Sequence, residues 1–244
     1  MILLDCGNSQ LKAECRRHRH LHSSFTLAYA DDWSRNLAAW LAAQAAKHCY
    51  LCSVLDDDRQ AQIEAVLTRQ FGDAVTRFTS EAEVLGVRSG YGEPGQLGVD
   101  RWLALLAAAE LIDGDCLVVD AGSAITLDLL RADGSHLGGG ILPGYRTTLD
   151  EFKAIFSQID FSDPQIAETA EPGSSTAAAI QIDYAQSSIE VLPDLVDRWM
   201  ARLDEKAVIL LTGGDAYRVQ RELNHTSRIV PDLVFRGMQR LADA

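Results

Sequence analysis

Hydrophobic and polar residues alternate along the N-terminal part of the chain in a way that predicts three strands followed by alternating helices and strands. Ile2–Leu4 is an aliphatic run, and Gln10–Arg16 has the two-residue period of a strand. Trp33 to about Lys47 has the apolar spacing of an amphipathic helix. The remaining predicted elements are strands at Leu21–Leu27, Cys49–Leu55 and Ala74–Thr79, and a helix at Asp57–Gln70. The order βββαβαβ is typical of an α/β fold.

The second half of the sequence repeats this pattern. Its predicted strands are Cys116–Val119, Thr126–Arg131, His136–Leu142, Ala207–Leu211 and a short strand near Arg228–Val230. Superimposing Asp120 on Asp5, an offset of 115 residues, aligns two aliphatic runs, the Asp-x-Gly sequence after each run, and the strand that follows. Because the offset is close to half the chain length of 244 residues, we predict a duplicated α/β domain.

Composition changes this picture mainly by excluding functions. Lys and Arg number 22 against 35 Asp and Glu, and the net charge of −13 disfavours nucleic acid and anionic membrane surfaces as partners. A phosphorylated small molecule is still compatible with this charge, since backbone N–H groups and one lysine hold a phosphate locally. The chain start does not resemble a signal peptide, and no apolar stretch reaches the ~20 residues of a membrane span. We therefore expect a soluble, cytoplasmic protein, with its 5 cysteines reduced.

Each Asp-x-Gly sequence follows a predicted buried strand, at the position where ligands gather in α/β sheets. We expect positive φ at the glycine of each tight turn, and no Cβ that would keep a phosphate from backbone N–H groups. Asn8 and Ser9 add short polar side chains, and Lys12 lies in the next strand. The Asp5 carboxylate suits Mg²⁺, directly or through water. One copy alone is equally well explained as an ordinary hairpin with an Asx-turn, but two copies with Lys12 favour a site for nucleotide phosphates.

A glycine-rich loop, residues 86–98, leads directly into an apolar helix predicted from Val99 or Asp100 to Ile112. Asp100 is placed to be either the helix N-cap or a general base. The guanidinium fork of Arg101 fits either a substrate carboxylate or the oxygens of a moving phosphoryl group. Because charged residues open an otherwise apolar helix, this loop indicates a site rather than only a linker.

Several segments resemble motifs of the acetate and sugar kinase/Hsp70/actin superfamily, in the superfamily's order. Asp5-Cys-Gly-Asn-Ser-Gln-Leu-Lys12 resembles its first phosphate motif, Asp120-Ala-Gly-Ser123 with Gly138–Gly144 its second, and Leu211-Thr-Gly-Gly-Asp-Ala216 its adenosine motif. Within the superfamily, Leu97–Leu105 and Pro231–Gly237 are similar to segments of type III pantothenate kinases. The resemblance implies two similar actin/Hsp70-like (ribonuclease H-like) domains with a cleft between them, which we place at residues 1–100 and 101–244.

The same resemblance implies ATP-dependent phosphorylation of pantothenate to 4′-phosphopantothenate, the first step of coenzyme A biosynthesis, by a homodimer that uses Mg²⁺ and a monovalent cation (K⁺ or NH₄⁺). Asp100 would be the catalytic general base. Pantothenate would contact Tyr91, Gly98, Val99, Asp100, Arg101 and Thr176. ATP would contact Asp5, Cys6, Gly7, Asn8, Ser9, Gln10, Leu11, Lys12, Ser123, Gly213 and Gly214. Asp120 would bind the monovalent cation, and Asp5 would bind Mg²⁺ through phosphates or water.

Two features depart from the family pattern. Ser123 stands where the family more often has threonine, and residues 92–96 form a stretch that varies in the family and affects how Tyr91 is presented. Two other functions compete with the pantothenate kinase, namely a non-catalytic transcriptional accessory protein on the same fold and another small-molecule kinase or ATPase of the superfamily. The presence of Asp5, Lys12, Asp100 and Arg101 together disfavours the accessory protein, and the Gly-x-Asp-Arg element at 98–101 favours the pantothenate enzyme over another kinase or ATPase.

Overall fold

The structure is a computed structural model that describes residues 1–17, 19–30, 32–159, 174–176 and 191–244. Its internal contacts divide the chain into two compact units. The first unit contains Met1–Leu111, Asp133–His136 and Asp232–Ala244, and the second contains Ile112–Ala132 and Leu137–Pro231. The fold class predicted from the repeat, two similar α/β domains, is confirmed by the sheets of these units.

The first unit is built around a mixed sheet. Its strands are β1 (Ile2–Cys6), β2 (Gln10–Arg17), β3 (His20–Ala28), β4 (Cys49–Ser53) and β5 (Val75–Arg77). They are ordered β3-β2-β1-β4-β5, with β1 antiparallel to β2 and parallel to β4. A separate antiparallel pair consists of β6 (Glu83–Val84) and β7 (Val87–Arg88). The helices are α1 (Trp33–Ala42), α2 (Asp57–Phe71), α3 (Val99–Leu111) and, at the end of the chain, α7 (Leu233–Ala242).

The second unit has a sheet of the same construction. Its strands are β8 (Cys116–Ala121), β9 (Ala124–Leu130), β10 (His136–Pro143), β11 (Val208–Thr212) and β12 (Ser227–Ile229), in the order β10-β9-β8-β11-β12. As in the first sheet, the central strand β8 is antiparallel to the next strand in sequence and parallel to β11. The helices are α4 (Tyr145–Ile155), α5, of which residues 191–200 are described, and α6 (Ala216–Glu222).

The first three residues of the central strand β1, Ile2–Leu4, are all aliphatic because both faces of the strand are covered there. Ile2 and Leu4 belong to a core cluster with residues of α1 and α2, and Leu3, which alternates with them, is equally buried. On the other side of the sheet, α7 contacts β1 and β4, and α3 contacts β4. Burial of both faces accounts for an aliphatic run where a half-exposed strand would alternate with polar residues.

Helices α3 and α7 are distant in sequence but pack against each other. Every residue of α3 from Val99 to Ala108 except Asp100 is buried. Gly237 of α7 lies so close to the Leu103 carbonyl that a Cβ at 237 would overlap it. This packing keeps residues 101–111 in the first unit. The division by contacts therefore differs from the predicted boundary after residue 100.

Smaller differences concern the ends of elements. Helix α1 ends at Ala42 rather than near Lys47, and the loop predicted at 86–98 contains β7 and a short 3₁₀ helix, Pro94–Gln96. Pro193 lies within the helical residues 191–200 and does not end the helix there. Among the helices of the described ranges, none combines the length and apolar character needed to cross a membrane.

Candidate active site

The first Asp-x-Gly turn joins β1 to β2 and places Asp5 directly opposite Lys12. Gly7 donates its N–H to the Gln10 carbonyl at 3.1 Å, which closes the turn. Asp5 and Lys12 are partly exposed. Of the other residues in this motif, Asn8, Ser9 and Gln10 are exposed, whereas Cys6 and Leu11 are fully buried and form the base of the turn.

The electrostatic surroundings of Asp5 are mixed. Burial is the main cause that raises the pKa of Asp5 from 3.8 to about 6, and the nearby Lys12 ammonium works against this rise. Repulsion from the Asp100 carboxylate raises the pKa further, and a hydrogen bond from the Cys52 thiol lowers it. Cys52 lies opposite Asp5 on the neighbouring strand β4. The two carboxylates are therefore close enough to interact, with Lys12 beside them.

Asp100 lies in the first turn of α3, with its carboxylate folded back over the backbone. Its Oδ1 accepts the N–H of Arg101 at 2.8 Å. A Cβ built on Gly98 would lie 2.7 Å from the same Oδ1, so a side chain at 98 would displace the carboxylate. Glycine at 98 is thus explained by the position of Asp100.

Arg101 is 6% exposed and points toward the glycine-rich loop. Its Nη1 donates to the Tyr91 hydroxyl at 3.0 Å, and its guanidinium carbon lies 5.7 Å from the centre of the Tyr91 ring. The structure thus brings together Tyr91, Gly98, Asp100 and Arg101, four of the residues predicted to contact the substrate. The protein itself therefore orients the charged fork of Arg101.

A cavity of about 370 Å³ adjoins this group. It is lined by residues 53–55, 77–80 and 95–99, which follow β4 and β5 and include Gly98 and Val99. This is the carboxyl edge of the parallel strands, where ligands bind in α/β sheets. A second cavity of about 400 Å³ contains none of the predicted site residues; Arg16, Arg19 and Arg236 in its lining are paired with carboxylates, and Arg240 donates to backbone carbonyls.

The corresponding turn of the second unit is enclosed by backbone. Gly122 donates its N–H to the Ala124 carbonyl at 3.0 Å, and the exposed Ser123 accepts the Gly144 N–H at 3.0 Å through its carbonyl. Gly213 has φ +89°, and a Cβ there would lie 2.5 Å from Oδ1 of Asp120. The Asp120 carboxylate therefore lies directly against the backbone of the turn after β11.

The expectation of positive φ at the two turn glycines is wrong. Neither Gly7 nor Gly122 has positive φ, whereas Gly213, in the turn after β11, does. Gly214 is exposed, and a Cβ added there would meet no described atom within 4 Å, so its backbone is accessible to a ligand. Thr176 is exposed in the second unit, within the short described stretch 174–176.

Three features of these surroundings were missed by reasoning from sequence. Cys52 hydrogen-bonds Asp5, and His136 contacts the loop that carries Tyr91. Arg218 places its guanidinium 4.0 Å above the ring of Tyr145, just after the close approach at Gly144. The register of β1 and β4 is the signal that could have identified Cys52, because it lies level with Asp5.

Within the described ranges, no group of three or more His, Cys, Asp or Glu side chains is arranged to hold a metal ion. The separate carboxylates of Asp5 and Asp120 are hard oxygen ligands at the two turns. A single carboxylate is enough for Mg²⁺ when substrate phosphates and water supply the other ligands. The donors present therefore fit an ion that arrives with a nucleotide.

Comparison with known proteins gives consistent results. The family model for type III pantothenate kinase matches residues 1–198. A type III pantothenate kinase of Pseudomonas aeruginosa is 36% identical over 249 residues, covering 98% of this chain and 97% of the relative. Another from Alkalilimnicola ehrlichii is 33% identical over 245 residues, covering 99% and 97%.

Solved structures with this fold are more distant in sequence. A Campylobacter jejuni protein described as a Baf family transcriptional activator has a TM-score of 0.57 and 23% identity, covering 100% of this chain and 98% of its own. The activator of 2-hydroxyisocaproyl-CoA dehydratase from Clostridium difficile, with bound ADPNP, has a TM-score of 0.55 and 14% identity, covering 99% and 95%. At these identities the likeness shows the fold alone.

Proposed function

The chain belongs to the type III pantothenate kinase family, and from this premise we propose how its own residues carry out the reaction. It is a phosphotransferase that uses ATP to phosphorylate pantothenate, the first step of coenzyme A biosynthesis. The observation that carries the assignment of roles is the grouping of Asp5, Lys12, Asp100 and Arg101 in the first unit.

Lys12 and the exposed turn Gly7–Ser9 are the groups that hold the ATP phosphates. The lysine ammonium neutralises phosphate charge, and the turn presents short polar groups and backbone to the same region. Asp5 would hold Mg²⁺, directly or through water, and the ion would offset the charge that develops on the transferred phosphoryl group.

Asp100 accepts the proton of the pantothenate hydroxyl that attacks the γ-phosphorus. Its carboxylate is partly exposed, and the Arg101 N–H fixes one of its oxygens. Because phosphoryl transfer depends mostly on positioning and charge stabilisation, orienting the hydroxyl is as important as accepting its proton. Arg101 binds the pantothenate carboxylate or the phosphoryl oxygens, and Tyr91, Gly98 and Val99 line the pantothenate pocket.

Residues of the second unit supply the remaining contacts. Gly213 and Gly214 let the adenosine approach the backbone, and Ser123 lies near the ATP phosphates. Asp120 binds the monovalent cation (K⁺ or NH₄⁺), for which its carboxylate and the carbonyl oxygens of the turn form a suitable oxygen-rich donor set. Thr176 contacts pantothenate.

We also propose that the protein is a cytoplasmic homodimer. Large apolar side chains that are more than half exposed support a second copy as partner; these are Leu21, Ile141, Ile155, Val191 and Tyr217. A sedimentation mass close to 26.7 kDa at all micromolar concentrations would contradict the dimer.

A transcriptional accessory role is less well supported, although the C. jejuni structure bears such a description. An accessory protein has no need to keep a carboxylate pair, a lysine and an oriented arginine at one edge of a sheet. The other alternative, a kinase for a different small molecule, is disfavoured because the family model and the relatives reported above are type III pantothenate kinases.

The decisive experiment measures phosphorylation of pantothenate by the purified protein with ATP and Mg²⁺, with and without K⁺. Asp100→Asn keeps the shape of the side chain and should lower kcat by about 10²–10⁴-fold. Asp58→Asn is the matched control, since Asp58 occupies the same second position in α2 and is exposed. Full activity of Asp100→Asn would remove its catalytic role, and a wild-type protein inactive on pantothenate would overturn the proposed function.

A further inference from the structure

The hairpin turn before β10 packs on the segment that leads to Tyr91. Residues 133–136 belong to the first unit, and Ser135 forms a parallel bridge with Arg88 of β7. Arg88 donates its N–H to the Gly134 carbonyl at 2.9 Å and its Nη2 to the Ser135 hydroxyl at 2.8 Å. Gly134 has φ +80°, and a Cβ there would overlap the carbonyl of Gly86. The turn is therefore fixed against β7 through backbone and side chain together.

His136, the residue after this turn, reaches the loop at two consecutive positions. Its Nδ1 accepts the N–H of Gly90 at 3.3 Å. Its ring stacks on the ring of Tyr91, with centroids 5.9 Å apart and planes 13° from parallel. His136 is only 3% exposed, so the ring that supports Tyr91 is itself held in place by its surroundings.

Tyr91 links His136 to Arg101, because it contacts both side chains. The Tyr91 ring stacks on His136, while the Tyr91 hydroxyl accepts a hydrogen bond from Arg101 Nη1 at 3.0 Å. The order of contacts is thus His136 to Tyr91 to Arg101, within one unit of the structure. Gly90, on the same loop, is exposed, and as a glycine it has no side chain that could pack against the rest of the unit.

We propose that His136 is a positioning residue for pantothenate binding, which holds Gly90 and Tyr91 so that Tyr91 presents Arg101 to the substrate. The proposal rests on the proposed function for the identity of the substrate, but the contacts themselves do not. The imidazole does two separable things, since Nδ1 accepts a hydrogen bond and the ring provides a flat surface for stacking.

The test separates these two contributions with three variants. His136→Ala removes both and should raise KM for pantothenate about ten- to thirtyfold, with kcat and the KM for ATP changed by less than about threefold. His136→Phe keeps the stacking surface, and His136→Asn keeps an acceptor near the position of Nδ1. Each should recover part of the lost affinity. His48→Ala is the matched control, because His48 also contacts a tyrosine ring in the first unit, with centroids 4.6 Å apart, and should leave both KM values unchanged.

A second measurement does not depend on the substrate. Hydrogen exchange of the Gly90 amide should be faster in His136→Ala and His136→Phe, which lack the acceptor, and should stay slow in His136→Asn. An equal rise of the two KM values, an unchanged KM for pantothenate in His136→Ala, or unchanged Gly90 exchange in that variant would overturn the proposal. If the wild type failed to phosphorylate pantothenate but Gly90 exchange followed His136, the proposed function would fail while the positioning of the loop would stand.

Discussion

The two Asp-x-Gly turns occupy the same place in sheets of the same order, yet they are built from different parts. In the first unit Asp5 lies opposite Lys12, so a carboxylate faces a cation. In the second unit Asp120 lies opposite Thr126, which is uncharged. The second turn is instead enclosed by backbone, since Gly213 leaves no room for a Cβ beside Asp120.

This difference shows that the two copies of a duplicated turn can keep the same topology and yet depend on different interactions for their structure and function. Charged groups meet in the first copy, where burial, the Lys12 ammonium and the Asp100 carboxylate together shift the pKa of Asp5. Close packing dominates the second copy, where glycines let main-chain atoms approach a carboxylate. We therefore expect the first turn to respond to changes of charge and the second to changes of volume.

The largest expected effect is that of adding a methyl group to the turn after β11, which packs against the second Asp-x-Gly turn. Gly213→Ala places a Cβ at φ +89° and against Ala121 and Asp120, and should cost about 3–4 kcal/mol of the free energy of unfolding. The matched change Gly7→Ala meets the Gln10 carbonyl at 3.4 Å, an ordinary contact, and should cost less than about 1 kcal/mol. Thermal denaturation should show a Tm about 10 °C lower for Gly213→Ala. Equal Tm values for the two variants would refute the proposed contrast in packing.

Removal of charge should have the next largest effect, and in the first turn. Lys12→Met keeps the length of the side chain but not the ammonium, and should lower kcat/KM for ATP about 10²-fold, since a preorganised cation is lost at the phosphates. Thr126→Val is the counterpart in the second turn and should change the same quantity by less than about threefold. Steady-state kinetics at varied ATP measures both. Similar losses in the two variants would mean that the turns do not differ in their dependence on charge.

The smallest expected effect is on the free energy of unfolding, where removing the Asp5 carboxylate should stabilise the protein at high pH. Because burial raises the pKa of Asp5 to about 6, the folded protein holds this proton more tightly than the unfolded chain, and the carboxylate lowers stability as pH rises from about 4 through 6. Asp5→Asn should therefore stabilise the protein at pH 8 by about 1–3 kcal/mol, and should not stabilise it at pH 4. Urea unfolding at both pH values tests this. A variant that was destabilised at pH 8 would show that the Asp5 carboxylate contributes net favourable interactions.

Much of the fold follows from short-range pattern. β1 and β8 are aliphatic runs that end in the same Asp-x-Gly sequence, and this is enough to predict both sheets. What the pattern does not contain is long-range packing. Nothing in residues 101–111 indicates that α3 pairs with α7, because that choice depends on the close approach of Gly237 to Leu103.

The residues of the candidate site likewise fall into those that sequence patterns predict and those that depend on long-range packing. Asp5, Lys12 and Asp100 stand out because charged residues adjoin apolar runs in recognisable motifs. His136 does not, since its partner Gly90 is 46 residues away and a histidine at the start of a strand has no distinguishing pattern. The end of α1 was also missed, because the alanine-rich residues after Ala42 continue the helical composition without a strong stop signal.

The burial of the cysteines has a practical consequence for following the folded state. All five are free and buried, and burial raises the pKa of Cys49 and of Cys116 to about 12. Since the thiolate is the reactive form, the native protein should be nearly inert to alkylating reagents, whereas each unfolding event exposes thiols of ordinary reactivity. The rate at which a thiol reagent labels the cysteines therefore reports the rate at which the protein unfolds, and no added probe is needed.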